Sequence, residues 1–175
     1  MIGVVGTSTE PAIALSIDGT FELDRGRISD TRGIAIRSTR DARPALRDVI
    51  VRRVNDSVAL LVFGSMTLKK AVIEDIESRA LFGDGDQDRL LTIEDLAVRR
   101  AGETALSRFQ LTSASKSGVL LRKDASFAGN PELDLAQGVI ARSPVGLDVE
   151  APGFDLNRVI DRVAIEECGL PIRVP

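Results

Sequence analysis

Apolar residues alternate with small or polar ones from Ala12 to Ile17, placing Ile13, Leu15 and Ile17 on one face with the period of a strand. Asp18-Gly19 marks a turn, and Phe21 and Leu23 open a second strand. Matching Ile17 with Phe21 and Leu15 with Leu23 keeps the apolar side chains together and favours a hairpin with a three-residue loop. Arg25-Gly26-Arg27 reads as another turn, and Ile34 and Ile36 as a short third strand. A helix is predicted next, with Asp41 as N-cap and Pro44 in its first turn. Leu46, Val49, Ile50 and Val54 form its apolar side, Arg52 and Arg53 its polar one, and Asn55-Asp56-Ser57 ends it. The run from Val58 to Phe63 predicts a buried strand, closed by Gly64-Ser65. Leu68, Val72, Ile73, Ile76 and Ala80 form the stripe of a second helix that Gly83 stops.

Beyond this point Leu91 and Ile93 share one strand face while Leu96 and Val98 share the other, a phase break that fits a bulged strand or a helix. Ala105, Ser107, Phe109 and Leu111 alternate with polar residues as a half-buried strand should, and Val119-Leu120-Leu121 would return as its neighbour. Gly129, Pro131, Gly138, Pro144, Gly146, Pro152 and Gly153 leave room only for short elements. A last helix is predicted from Asp155, with Leu156, Val159, Ile160 and Val163 on its apolar side and Gly169 and Pro171 as its stop. No internal repeat stands out. The expected architecture is α+β, a mixed, largely antiparallel sheet packed with two or three helices. It divides into a flexible arm (residues 1–11), a core domain (12–123) and a loop-rich C-terminal extension (124–175) ending in the helix.

Composition narrows the chemistry. A net charge of −3 argues against a general nucleic-acid binder, which carries a basic excess. The absence of His excludes a histidine base, a histidine metal ligand and a Ser-His-Asp triad. Cys168 is the single cysteine, so no internal disulfide or Cys-x-x-Cys site can form, and without a His partner it reads as an incidental thiol. The chain has no Trp or Tyr and only six Phe, which leaves little for stacking bases, sugars or flavins. No run approaches the length of a membrane span, and Met1-Ile2-Gly3-Val4-Val5-Gly6 lacks the basic region and length of a signal peptide, so a cytoplasmic protein is expected.

The most specific local motif is the acidic run from Asp84 to Asp95, whose spacing resembles the calcium loop of EF-hand and dockerin modules. Asp84, Asp86, Asp88 and Asp95, with the Leu90 carbonyl and Thr92, would supply the oxygen ligands that calcium prefers. Arg89 stands where such loops turn on Gly, and Asp95 where EF-hands carry Glu. A calcium-binding interaction module is therefore one alternative. Glu74 with Glu77, Glu94 with Asp95, and Glu166 with Glu167 could pair for acid–base chemistry, but their pattern places them on solvated faces. Gly3 to Ser8 lacks a phosphate-loop lysine, and Ser113 to Ser117 reads as a polar hairpin tip.

The order of elements from Ser16 to Leu121 resembles the small baseplate-wedge family of contractile phage tails and related injection systems. Asp24-Arg25-Gly26-Arg27-Ile28 looks like the family's opening turn, Arg40 to Val54 its first helix, Phe63-Gly64-Ser65 its Phe-Gly element and Leu68 to Leu81 its second helix. Asp88-Arg89-Leu90-Leu91-Thr92-Ile93 looks like the Arg-led entry into its hairpin. Asn55-Asp56-Ser57 stands where the family carries a Gly-Glu segment. The resemblance implies a structural subunit with no catalytic site and no cofactor, and with other structural subunits as partners. It would assemble in the cytoplasm into a large symmetric particle such as a virion or tail, without nucleic acid or membrane.

Overall fold

The computed structural model describes residues 12–85, 89–102, 117–123, 131–150, 156–157 and 162–174. Its logic is clearest between Arg43 and Asn55, where Pro44, Leu46, Val49, Val51 and Val54 are buried. The strand alternation breaks twice, at Arg47-Asp48 and at Arg52-Arg53, where two neighbours in succession turn away from the interior. Such a step needs one residue in the left-handed region, and Asp48 and Arg53 adopt it, with φ of 50° and 53°. The segment is thus a strand bent at two corners, not a helix.

The same frame repeats. It appears in β2 (Thr20–Ser38), β3 (Arg43–Asn55), β5 (Met66–Ile76) and β7 (Arg89–Ala101), and it is split into β9 (Pro131–Leu135) and β10 (Gly138–Ala141) one coil later. The last coil carries β12 (Val163–Glu166). These strands stack side by side in register, so that Ile28, Val51, Ile73, Val98, Ile140 and Ile165 form one column. Each coil then crosses a second flat run: β1 (Ala12–Ile17), the end of β2, β4 (Leu60–Val62), β6 (Arg79–Gly85), β8 (Ser117–Lys123), β11 (Val145–Glu150) and β13 (Leu170–Arg173). There Leu15, Ile36, Leu60, Leu81, Val119, Leu147 and Ile172 form the matching column. The thirteen strands described form one sheet, eleven along a single hydrogen-bonded path with β1 joined to β2 and β9 to β7, and every pairing among the described residues is parallel. The molecule is a β-solenoid of stacked coils, each closed around an aliphatic interior.

This overturns the expected α+β fold with its largely antiparallel sheet. Both central helices are strands, and Val163, expected on the third helix, lies in β12. The cause is a spacing coincidence. Inward positions separated alternately by two and three residues, as at Leu46, Val49, Val51 and Val54, imitate the helical period. The concentration of β-branched Val and Ile over 49–54 and 72–76 favours strands, and it was outweighed by the apparent period. Asp18-Gly19 does not close a hairpin, because β1 pairs in parallel with residues 33–38 of β2. The strands expected near 58–63 and 119–121 are present as β4 and β8, with parallel partners. The arm 1–11 and the strand proposed over 104–112 lie outside the described residues. Strands β9 to β13 continue the same sheet through the C-terminal segment.

Glycine is required where coils touch most closely. A Cβ on Gly64 would lie 2.6 Å from the carbonyl oxygens of Arg40 and Ala42, so no side chain fits the passage from β4 to β5. The interior is as demanding. Ile73 is fully buried in the middle of its column, whereas Val72 beside it points outward and is half-buried. Ile73→Ala should lower the unfolding free energy by about 2–5 kcal/mol, read from the urea midpoint, while Val72→Ala should lower it by about 1 kcal/mol or less. Equal losses at the two positions would contradict the inward–outward assignment.

Candidate interaction surface

The corner residues gather the chain's charged groups into two rails running along the solenoid. At the first corner Arg25, Asp48, Lys70 and Asp95 occupy equivalent positions, with φ of 61°, 50°, 52° and 61°. At the second corner the stack is Asp30, Arg53, Asp75, Arg100, Arg142 and Glu167, all with φ between 51° and 59°. A left-handed backbone disfavours β-branched side chains and tolerates Asp and straight-chain residues, which explains why each of these ten positions carries Asp, Glu, Lys or Arg.

Parallel stacking brings each second-corner side chain beside its counterpart one coil away, and opposite charges meet. Arg53 donates to Asp30 through Nε at 2.5 Å and Nη2 at 2.7 Å. Arg100 donates Nε to Asp75 at 2.5 Å, and Arg142 donates Nε to Glu167 at 2.7 Å. One position inward, Arg52 lies 2.6 Å from Glu74, which also faces Arg100 at 3.8 Å. The Arg53 guanidinium holds the Asp30 carboxyl down from the ordinary 3.8 to about 2. Arg100 holds Asp75 below the usual carboxylate range in the same way. Charge-assisted, side-on pairs of this kind favour the charged form of both partners.

A second constellation lies outside the other sheet run. The guanidinium of Arg37 sits 5.6 Å from the Phe63 ring centroid, and those of Arg79 and Arg122 sit 5.2 and 4.9 Å from Phe82. Burial lowers the pKa of Arg79. Asp148, fully buried, takes a two-pronged contact from Arg173, whose Nε donates at 2.8 Å and whose Nη2 meets the second oxygen.

The sequence-derived site residues are dispersed by this frame. Asp84 falls near the end of β6, Asp86 and Asp88 lie outside the described residues, and Asp95 is an exposed first-corner residue inside β7. The acidic run joins two strands, where an EF-hand loop joins two helices. Among the described residues no group of three or more His, Cys, Asp or Glu is placed to hold a metal ion. Glu94 pairs with Lys69 at 3.0 Å. Glu77 is buried and accepts the Asp56 backbone N–H, pinning a left-handed turn where φ is 61°. The Cys168 thiol, half-buried, donates to the Glu166 carbonyl at 3.4 Å. The rails themselves escaped the sequence reading. Their signal was a polar doublet recurring five residues apart, as in Arg47-Asp48 and Arg52-Arg53, or Lys69-Lys70 and Glu74-Asp75.

No protein-family model matches the chain, and searches of the curated proteins and of the solved structures return no match. The two helices that carried the likeness to the baseplate-wedge family are β3 and β5 with their corners.

Asp30 and Asp75 are both held below the ordinary carboxylate range by their arginine partners. A carboxyl depressed in the folded state adds stability that is complete above its ordinary pKa and is lost as pH falls through its folded pKa. Urea midpoints should therefore hold down to about pH 5 and decline modestly between about pH 4 and pH 2, because solvent screens these exposed pairs. Asp30→Asn should flatten that fall; an unchanged slope would show that the pair adds nothing to coil stacking.

Proposed function

We propose that the protein is a non-enzymatic structural component, a rigid rod that spaces or joins other subunits. The observation that carries this reading is the pairing of its charged groups along the axis. Asp30, Asp75, Glu74, Asp148 and Glu167 each face an arginine of a neighbouring coil. A general acid working near neutral pH needs a raised carboxyl, and Asp30 and Asp75 are displaced in the opposite direction. Solenoids stiffen by repetition, because every coil contacts only its neighbours through a continuous sheet and core. Six stacked levels at the parallel-strand spacing make a rod about 30 Å long.

A subunit of a phage-like tail or baseplate is one form of this role, and the reading supplies it with protein partners in a large assembly. Among the described residues no helix is long and apolar enough to cross a membrane. The test is gradient sedimentation of extracts from the producing cells, followed by detection of this chain. Co-migration with a large particle is the expected result. A chain that sediments only as a small free species would remove the assembly role.

A further inference from the structure

Between the two corner rails lies a flat outer strip whose chemistry differs from both. Arg27, Ile50, Val72, Ala97, Val139 and Ala164 are register partners on successive coils. They alternate with buried neighbours such as Val49 and Val51, or Leu96 and Val98, so the pleat points them outward. Ile50, Val72, Ala97 and Val139 are half-buried, giving an apolar ribbon parallel to the axis.

The signs of the flanking rails are matched level by level. Arg25 lies across the strip from Asp30, Asp48 from Arg53, Lys70 from Asp75 and Asp95 from Arg100. The fifth level sets neutral Gln137 across from Arg142, and the last sets Arg162 across from Glu167. At every level that carries two charges, one rail is positive where the other is negative.

We propose that this strip is the interface of a parallel, in-register homodimer. A twofold axis along the solenoid would bring the first rail of one copy over the second rail of the other at the same level. The contacts would then be Arg25 to the partner's Asp30, Asp48 to the partner's Arg53, Lys70 to the partner's Asp75 and Asp95 to the partner's Arg100, with the apolar ribbons meeting in the middle. Each contact occurs twice by symmetry. Reversing one copy end for end sets Arg25 against Arg162, Asp30 against Glu167 and Arg53 against Arg142, and leaves only Lys70 against Asp95 and Asp75 against Arg100 as opposite pairs, so the parallel arrangement is the one in which every charged level is matched. The second-rail side chains already pair along their own chain, and the partner's first rail would extend those pairs into a network. The strip is about 15 Å wide and the stack about 30 Å tall, which buries roughly 900 Å² over both copies. That area lies at the low end for specific association, so the dimer is expected to be concentration-dependent and weakened by salt.

Sedimentation velocity of the full chain, from low to high micromolar concentration at two ionic strengths, tests the proposal. A reversible monomer–dimer equilibrium that shifts towards monomer with added salt is expected. Exchanging two first-rail charges in one chain, Asp48→Lys with Lys70→Glu, keeps the net charge but opposes Arg53 and Asp75 of the partner. It should weaken the dimer about tenfold or more. Val72→Glu, at a half-exposed position outside the interior, should do the same and gives an independent reading if the exchange perturbs folding. A wild-type chain that stays monomeric throughout overturns the proposal. So does a dimer that folded exchange and Val72→Glu variants leave unchanged.

Discussion

Parallel, in-register hydrogen bonding between equivalent positions of successive coils is the constraint from which the rest of this structure follows. Once Leu46 must lie beside Leu68 and Leu68 beside Ile93, every column becomes a stack of like positions. Interior columns are then filled mainly by apolar side chains, with small Thr31 and Ser38 as polar members, and the second-corner column is left-handed at all six levels. A slip of one residue would carry Ile73 outward and Val72 inward and would place the polar doublets inside. Register and burial therefore enforce one another.

Stacking like positions has an electrostatic consequence. A corner column filled with one sign of charge would repel itself at every coil, at the close spacing of adjacent strands. The second corner avoids this by alternating, and the resulting Asp30–Arg53 and Asp75–Arg100 pairs tie consecutive coils together. The step from Arg100 to Arg142 departs from that alternation. It coincides with the long connection from Gly102 to Ser117, which separates the two halves of that coil in sequence. Insertions at one corner of a repeat leave the stacked strands intact, because β8 still finds β6 and β11 in register.

Part of this was legible in the chain. The apolar runs at 58–63 and 119–121 announced the strands that became β4 and β8, whereas the polar doublets flanking Val49-Ile50-Val51 and Ala71-Val72-Ile73 lie at the corners yet also fit the polar face of a helix. The repeat was obscured because the interval between register partners varies from coil to coil. Ile36 and Leu60 are partners across one interval, Leu60 and Leu81 across a shorter one, and Leu81 and Val119 across a much longer one. A fixed-period search averages over such variation. The acidic run from Asp84 to Asp95 illustrates the opposite error, since a compact motif in sequence proves to span the end of one strand and the bend of another.

By itself the sequence determined which side chains had to be hidden, and that neither histidine chemistry nor an internal disulfide could form. The lack of His and the single Cys168 follow from composition alone. Only the tertiary structure decided that the segments were strands, that they ran parallel, and that Arg53 met Asp30 of the neighbouring coil. The physical reason is that an apolar spacing of two and three residues satisfies a helix locally as well as a bent strand. The choice between them rests on hydrogen-bond partners that lie a whole coil away in the chain.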